Sequence, residues 1–194
     1  MKNIAIFCGS GIGFKPHFKE AAIAVGHCLA KQNIGLVFGG GKIGMMGALA
    51  DALLEKGGHV TGVIPHLLRH EEVFHATINK MIVTETMSER KVVISKMVDG
   101  YIALAGGFGT LDELFEALTL GQLGIENKPV GILNTHGFFN NTLKQLDVMV
   151  AEGFLKQANR DMLLVSDNIE NLIAKMAAYT PPKLGKVVNT VASK

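Results

Sequence analysis

The chain has 194 residues, 48% of them apolar, enough to bury one substantial core with nothing that demands a second. Its 19 basic and 17 acidic side chains leave a formal charge of +2, too small and too scattered for a polyanion surface, which argues against a nucleic-acid partner. Two cysteines, Cys8 and Cys28, exclude a disulfide framework and read as buried packing groups in a reducing compartment.

In chain order, short apolar runs alternate with segments of helical period. The predicted strands are Asn3 to Cys8, Ile34 to Phe38, His59 to Ile64, Met81 to Val83, Gly100 to Ala105, Pro129 to Leu133 and Met162 to Val165. The predicted helices are Lys15 to Lys31, Ile43 to Glu55, Ser88 to Val98, Thr110 to Leu120, Phe138 to Ala151 and Ile169 to Met176. Strands that are apolar almost throughout indicate an α/β protein with a doubly wound parallel sheet and helices on both faces. Residues 1–179 are expected to form a single domain. From Thr180 the sequence passes through Pro181 and Pro182 into a lysine-bearing tail without a period, so 180–194 is expected to be extended or mobile. The run from Ile4 to Cys8 is shorter than a signal-peptide core and no apolar stretch approaches a membrane span, so the expected location is cytoplasmic, with no membrane partner.

Three strands run into glycine-bearing turns that open helices: Gly9, Ser10, Gly11 and Gly13; Gly39, Gly40, Gly41, Gly44 and Gly47; Gly106, Gly107 and Gly109. In a parallel sheet these turns share one edge and line one crevice. Backbone amides and helix N-termini there suit an anion, although glycine also serves simply to make tight turns. Gly39, Gly41 and Gly44 match G-x-G-x-x-G, but the next strand ends at Ile64, Pro65 and His66, without the acidic residue that would hold a dinucleotide ribose. A Walker loop fails because Ile43 follows Lys42 where Ser or Thr should bind magnesium. A simple phosphate ester remains.

In the third turn Thr110 and Glu113 have the spacing of a capping box, an ordinary helix start. The alternative places Glu113 in the first helical turn, ionised under the dipole, as a base or as a stabiliser of developing positive charge. Adjacent Asp112 points about 100° away, so the two carboxylates do not flank one bond. Arg90, with Lys91 beside it, could clamp a phosphate or carboxylate through its planar fork, or simply belong to an exposed charged helix start.

Taken together, Gly39-Gly40-Gly41 with Ile43, Gly44, Met46 and Gly47, the run Glu89-Arg90-Lys91, and Gly106-Gly107-Phe108-Gly109-Thr110 with Glu113 resemble the Lonely Guy family. That family's signature is P-G-G-x-G-T-x-x-E, and its members are cytokinin riboside 5'-monophosphate phosphoribohydrolases, often labelled lysine decarboxylases. The resemblance runs from about Ile4 to Met176 and includes Gln122 to Ile125 and Lys128 to Gly131. It implies a Rossmann-like homodimer without metal or organic cofactor. It also implies cleavage of AMP or an N6-prenylated AMP to free base and ribose 5-phosphate. By motif, Arg90 and Glu113 match the catalytic pair. Glu72, Arg90, Lys91, Gly106, Gly107, Phe108, Gly109, Thr110, Leu111, Asp112 and Thr119 match substrate contacts, with Ser10, Gly40 and Gly41 as further turn contacts. Three positions depart from the pattern: Ala105 replaces the proline, Ser88 a histidine and Leu120 a tryptophan.

Three other readings compete. A pyridoxal-phosphate decarboxylase needs a Schiff-base lysine, and Lys42 and Lys91 instead look like anion partners. A non-catalytic nucleotide-binding module would use the same turns without needing Glu113. A metal site could draw on His66, His70 and His75 with Glu71 and Glu72, since His66 and His70 share a helical face.

Overall fold

A sheet covered on both faces asks every strand residue to be apolar or small, and the inner strands of this chain meet that demand. The computed structural model describes residues 1–68 and 74–182. Its strands are β1 Asn3–Phe7, β2 Gly35–Phe38, β3 Val60–Pro65, β4 Lys80–Thr84, β5 Gly100–Ala103, β6 Val130–Leu133 and β7 Leu163–Ser166. Every residue of β2, β3, β5 and β6 is buried, whereas edge strand β4 buries only Thr84 fully. The helices are α1 Pro16–Lys31, α2 Gly44–Glu55, α3 Met87–Met97, α4 Phe108–Gln122, α5 Asn140–Ala151, α6 Gln157–Arg160 and α7 Ile169–Ala177.

All strand pairs are parallel, in the order β4-β3-β2-β1-β5-β6-β7. The chain steps outward from β1 to β4, then crosses to the far side of β1 and steps outward again, so the direction reverses between β1 and β5. A crevice opens at such a reversal, outside the carboxyl ends of the strands. The turns after β1, β2 and β5 are the three glycine turns, and these strands are neighbours at the centre of the sheet.

Alternation along the strands divides the core. Ile4 and Ile6 face α1, α2 and α7 through Val25, Leu49 and Leu172, while Ala5 and Phe7 face α3, α4 and α5 through Ile94, Leu114 and Leu146. Both cysteines are buried and free.

The predicted elements all appear, with ends displaced by a residue or two, and two differences matter. Helix α6 has four residues, too few to show a period. Helix α4 begins at Phe108, two residues before the predicted start at Thr110, because Gly107 in extended backbone takes the N-cap and Phe108 and Gly109 already belong to the helix. The proposed tail lies beyond α7, and its residues 183–194 lie outside the described residues. No helix of the described residues is long and apolar enough to cross a membrane.

Ile102 is fully buried on β5, in the core beneath the crevice edge. Ile102→Ala is expected to lower the urea unfolding free energy by about 2–5 kcal/mol, through lost transfer energy and the cavity left behind.

Candidate active site

The turns after β1, β2 and β5 do pack on one another. Gly9 N–H donates to Ala105 O at 3.0 Å, tying the first turn to the third, and the Met45 amide at the start of α2 lies 3.4 Å from Gly11 O, tying the second to the first. A Cβ on Gly106 would stand 2.8 Å from Gly9 N and overlap the Thr110 hydroxyl, so this approach requires glycine. The turns bound a cleft of about 370 Å³, lined by Ser10, Gly39, Gly41, Gly107 to Thr110, Arg90, Asp112 and Glu113, among others.

Two helices point their first turns at this cleft without a side-chain cap: α2 with Ile43 at the N-cap, and α4 with Gly107. Helix α3, by contrast, is capped by the Thr86 hydroxyl, which accepts from Glu89 N–H at 3.1 Å, while Glu89 Oε2 accepts from Glu85 N–H at 2.8 Å. The amides of Phe108, Gly109 and Thr110 therefore meet the cleft as donors at the positive end of a fifteen-residue helix.

The early start of α4 corrects both readings of Thr110 and Glu113. Thr110 is the third residue of the helix, with its side chain 3% exposed, and caps nothing; Glu113 lies in the second turn, beyond the reach of the terminal dipole. Its charge has another source. Arg90 Nη1 donates to Glu113 Oε1 at 2.9 Å, and the two side chains are 11% and 12% exposed. Arg90 Nε in turn donates to Val63 O at 3.0 Å, at the carboxyl end of β3, so the guanidinium is fixed on two sides. Burial pushes the Glu113 carboxyl above the usual glutamate value, and the facing Arg90 charge works against that rise. Burial, and to a lesser degree the Glu113 charge, pushes the neighbouring Cys8 thiol up to about 12, which leaves it protonated and unreactive.

Lys91 is turned away from the glycine cleft. Its Nζ lies 2.8 Å from Asp112 Oδ2 and 2.7 Å from Glu116 Oε2, a second link between α3 and α4 outside the Arg90 and Glu113 pair. Asp112 and Glu113 thus point to different partners, as helical geometry requires. Leu111 leans into the core face below α4. Thr119 is exposed about three turns along α4, where its hydroxyl donates to Phe115 O at 2.7 Å, away from the cleft. Gly40 is buried behind the cleft with φ +77°, while Ser10 and Gly41 line it. Glu72 lies outside the described residues, as do His70 and Glu71 of the metal reading. Among the described residues no three metal-ligating side chains come together, and His75 is bonded to Asp51 at 3.0 Å. No lysine lines the cleft among the described residues, so a Schiff-base anchor has no candidate there.

Sequence reasoning missed the apolar wall opposite the glycines: Met46, Ile64, Pro65, Leu68 and Met87. The end of β3 carried that information, because the sheet edge holding the glycine turns also holds Ile64 and Pro65. It also missed Val63, whose part is played by a backbone carbonyl that leaves no mark in a sequence.

Helix α3, which carries Arg90, buries only Ile94 fully. Much of its attachment is polar. Besides the Arg90 and Lys91 contacts, Ser95 donates to Glu126, Tyr101 donates to the same carboxylate at 2.6 Å, and Lys128 Nζ donates to Ser95 O at 2.6 Å.

Comparison with known proteins agrees with this arrangement. A family described as "possible lysine decarboxylase" matches residues 46–176. A cytokinin riboside 5'-monophosphate phosphoribohydrolase of Arabidopsis thaliana is 42% identical over 180 residues, covering 93% of this chain and 84% of its own. The chain belongs to the Lonely Guy family. A probable member from Oryza sativa subsp. japonica is 43% identical over 176 residues, covering 91% of this chain and 76% of its own. Among solved structures, the molybdenum cofactor carrier protein of Chlamydomonas reinhardtii superposes with a TM-score of 0.69 at 21% identity, covering 91% of this chain and 96% of its own, a likeness of fold.

Two expectations follow from the geometry. A Cβ on Gly39 would stand 2.7 Å from Arg90 Nη2, so Gly39→Ala should displace the guanidinium and weaken nucleotide binding about tenfold by calorimetry, with little change in melting temperature. Carbon-13 NMR should find the Glu113 carboxyl titrating above an ordinary glutamate, and higher still in Arg90→Met, where the opposing charge is gone.

Proposed function

We propose that the protein is a nucleoside 5'-monophosphate phosphoribohydrolase, which adds water across the N-glycosidic bond of AMP or N6-prenylated AMP to give the free base and ribose 5-phosphate. The observation that carries this reading is the placing of a charged, largely buried carboxylate, Glu113, one turn along the helix whose uncapped amides open on the same cleft. The names of relatives about 40% identical over nine-tenths of the chain support the same chemistry.

In this reading the 5'-phosphate binds the amides of Phe108 to Thr110, with Ser10 and the Gly41 turn beside it, and fixes the ribose against Glu113. As the bond from C1' to the base nitrogen lengthens, positive charge gathers on the sugar ring and Glu113 stabilises it or aligns the attacking water. Arg90 orients Glu113 and the ribose. The base leaves with the bonding electron pair and takes up a proton, while hydroxide from water completes C1'. Met87, Leu68 and Pro65 form an apolar wall for the base. Glu72 and Asp112 keep the substrate-contact role implied by the family pattern, whereas Lys91, Leu111 and Thr119 do not line the cleft and are not assigned it, and no metal or organic cofactor takes part. The enzyme is cytoplasmic and homodimeric, with residues 1–179 as its domain and 180–194 as its tail. Exposed Val92, Phe115, Leu123 and Ile125 on and near α3 and α4 provide an apolar face for the second copy.

Incubation with AMP, adenosine and isopentenyladenosine monophosphate, followed by chromatography, tests the reading. Release of base and ribose 5-phosphate from a monophosphate but not from adenosine is expected, and binding of the monophosphates without release of base from either would reject it. Glu113→Gln should abolish turnover. The raised carboxyl value means that Glu113 favours folding most when protonated, and that this contribution is lost as pH rises through the folded-state value. The stability of the wild type relative to Glu113→Gln, read from paired urea unfolding curves, is therefore expected to fall as pH rises through that value.

A further inference from the structure

An imidazole that is 2% exposed has lost its water, and that loss is offset only when its ring nitrogens find partners. His75 satisfies both. Its Nε2 lies 3.0 Å from Asp51 Oδ1 on α2, and its Nδ1 lies 3.3 Å from Thr77 Oγ1. A carboxylate only accepts, so Nε2 carries its proton toward Asp51, and Nδ1 forms the second bond with the Thr77 hydroxyl. The backbone N–H of His75 donates to Gly40 O at 2.8 Å, and its neighbour Phe74 pairs with Gly41 in an isolated antiparallel bridge.

These contacts meet at a part of the cleft that has no side chains of its own to secure it. Gly39, Gly40 and Gly41 form the turn into α2, and Gly40 occupies the left-handed region at φ +77°. A turn of three glycines has many alternative conformations in its unfolded ensemble and few native contacts against them. The peptide at Phe74 and His75 braces its outer side, and the imidazole fastens that peptide to Asp51 on the helix the turn enters. His75 itself does not line the cleft.

We infer that His75 is a positioning residue, a buckle that joins the Gly39 to Gly41 turn, helix α2 and the returning chain at Phe74 into one rigid wall for the bound nucleotide. This inference rests on the nucleotide reading of the cleft. The reacting groups hang elsewhere: Arg90 on α3 and Val63 O, Glu113 on α4. Loosening the buckle therefore impairs capture of the nucleotide more than the bond-breaking step.

The test compares wild type, His75→Leu, which removes both ring bonds at similar volume, and His75→Gln, whose amide can still donate to Asp51. Steady-state cleavage of AMP, calorimetric Kd for AMP, thermal melting and amide exchange at residue 75 are read on each. His75→Leu is expected to raise KM and Kd about tenfold or more, to leave kcat within about threefold, and to speed exchange of the residue-75 amide, with His75→Gln recovering most of each change. Unchanged KM and Kd in His75→Leu overturn the inference. So does a fall in kcat as large as the rise in KM, or a His75→Gln variant no better than His75→Leu. The same measurements are made with isopentenyladenosine monophosphate. A wild type that binds either monophosphate without cleaving either rejects the hydrolase reading alone and leaves the buckle to be judged on Kd; a wild type that binds neither rejects both.

Discussion

Glu113 is a charge kept where charge is disfavoured, and most of the site is arranged around that fact. Removing a carboxylate from water raises the energy of its ionised form, and a guanidinium 2.9 Å away restores part of the difference. A carboxylate held in this way is poorly solvated and paired with a fixed cation, which suits the role proposed for it, a response to positive charge appearing on a nearby sugar. The pair works because Arg90 is itself fixed: a carbonyl of β3 receives its Nε, so its fork is aimed before any ligand arrives. The sheet, through β3, thus reaches the chemistry by a single backbone oxygen.

The strand order explains why these groups meet. With β1 between β2 and β5, three turns of small residues crowd one edge, and the helices that leave them present uncapped amides to the same space. Capping is spent elsewhere, on α3 and α7, where Thr86 and Asn168 accept from the first turn. Helices α1 and α5 also start without a side-chain cap, so what sets α2 and α4 apart is that their uncapped first turns face the glycine cleft, where free amides can meet an anion.

Much of this was legible in the sequence. Unbroken apolar strands named the parallel sheet, and glycines at three strand ends named the edge where a ligand would bind. Arg90 and Glu113, separated by 22 intervening residues, were singled out by motif, and the structure brings them into contact. The illegible parts have physical reasons. The start of α4 was misjudged because Thr110 and Glu113 imitate a cap, while the residue that turns the chain is Gly107, whose lack of a side chain is its signal. Lys91 was grouped with Arg90 because they are adjacent, yet neighbours on a helix diverge by about 100° and Lys91 meets Asp112 and Glu116 instead. His75 reads as a metal ligand by residue type alone; its burial against Asp51 is a long-range contact that spacing does not encode.

Helix α3 differs from the rest of the molecule in what attaches it. Apolar packing through buried Ile94, with Val93 and Met97 beside it, seats it on the sheet, and a ladder of opposite charges at Arg90 and Lys91 adds its links to α4. The outer rungs, with Asp112 61% exposed, lie within reach of dissolved salt, and the inner rung at Arg90 is shielded. The molecule therefore has two kinds of mechanical part. One is a frame held mainly by apolar packing; the other is an arm whose outer ion pairs to α4 loosen as the surrounding electrolyte thickens.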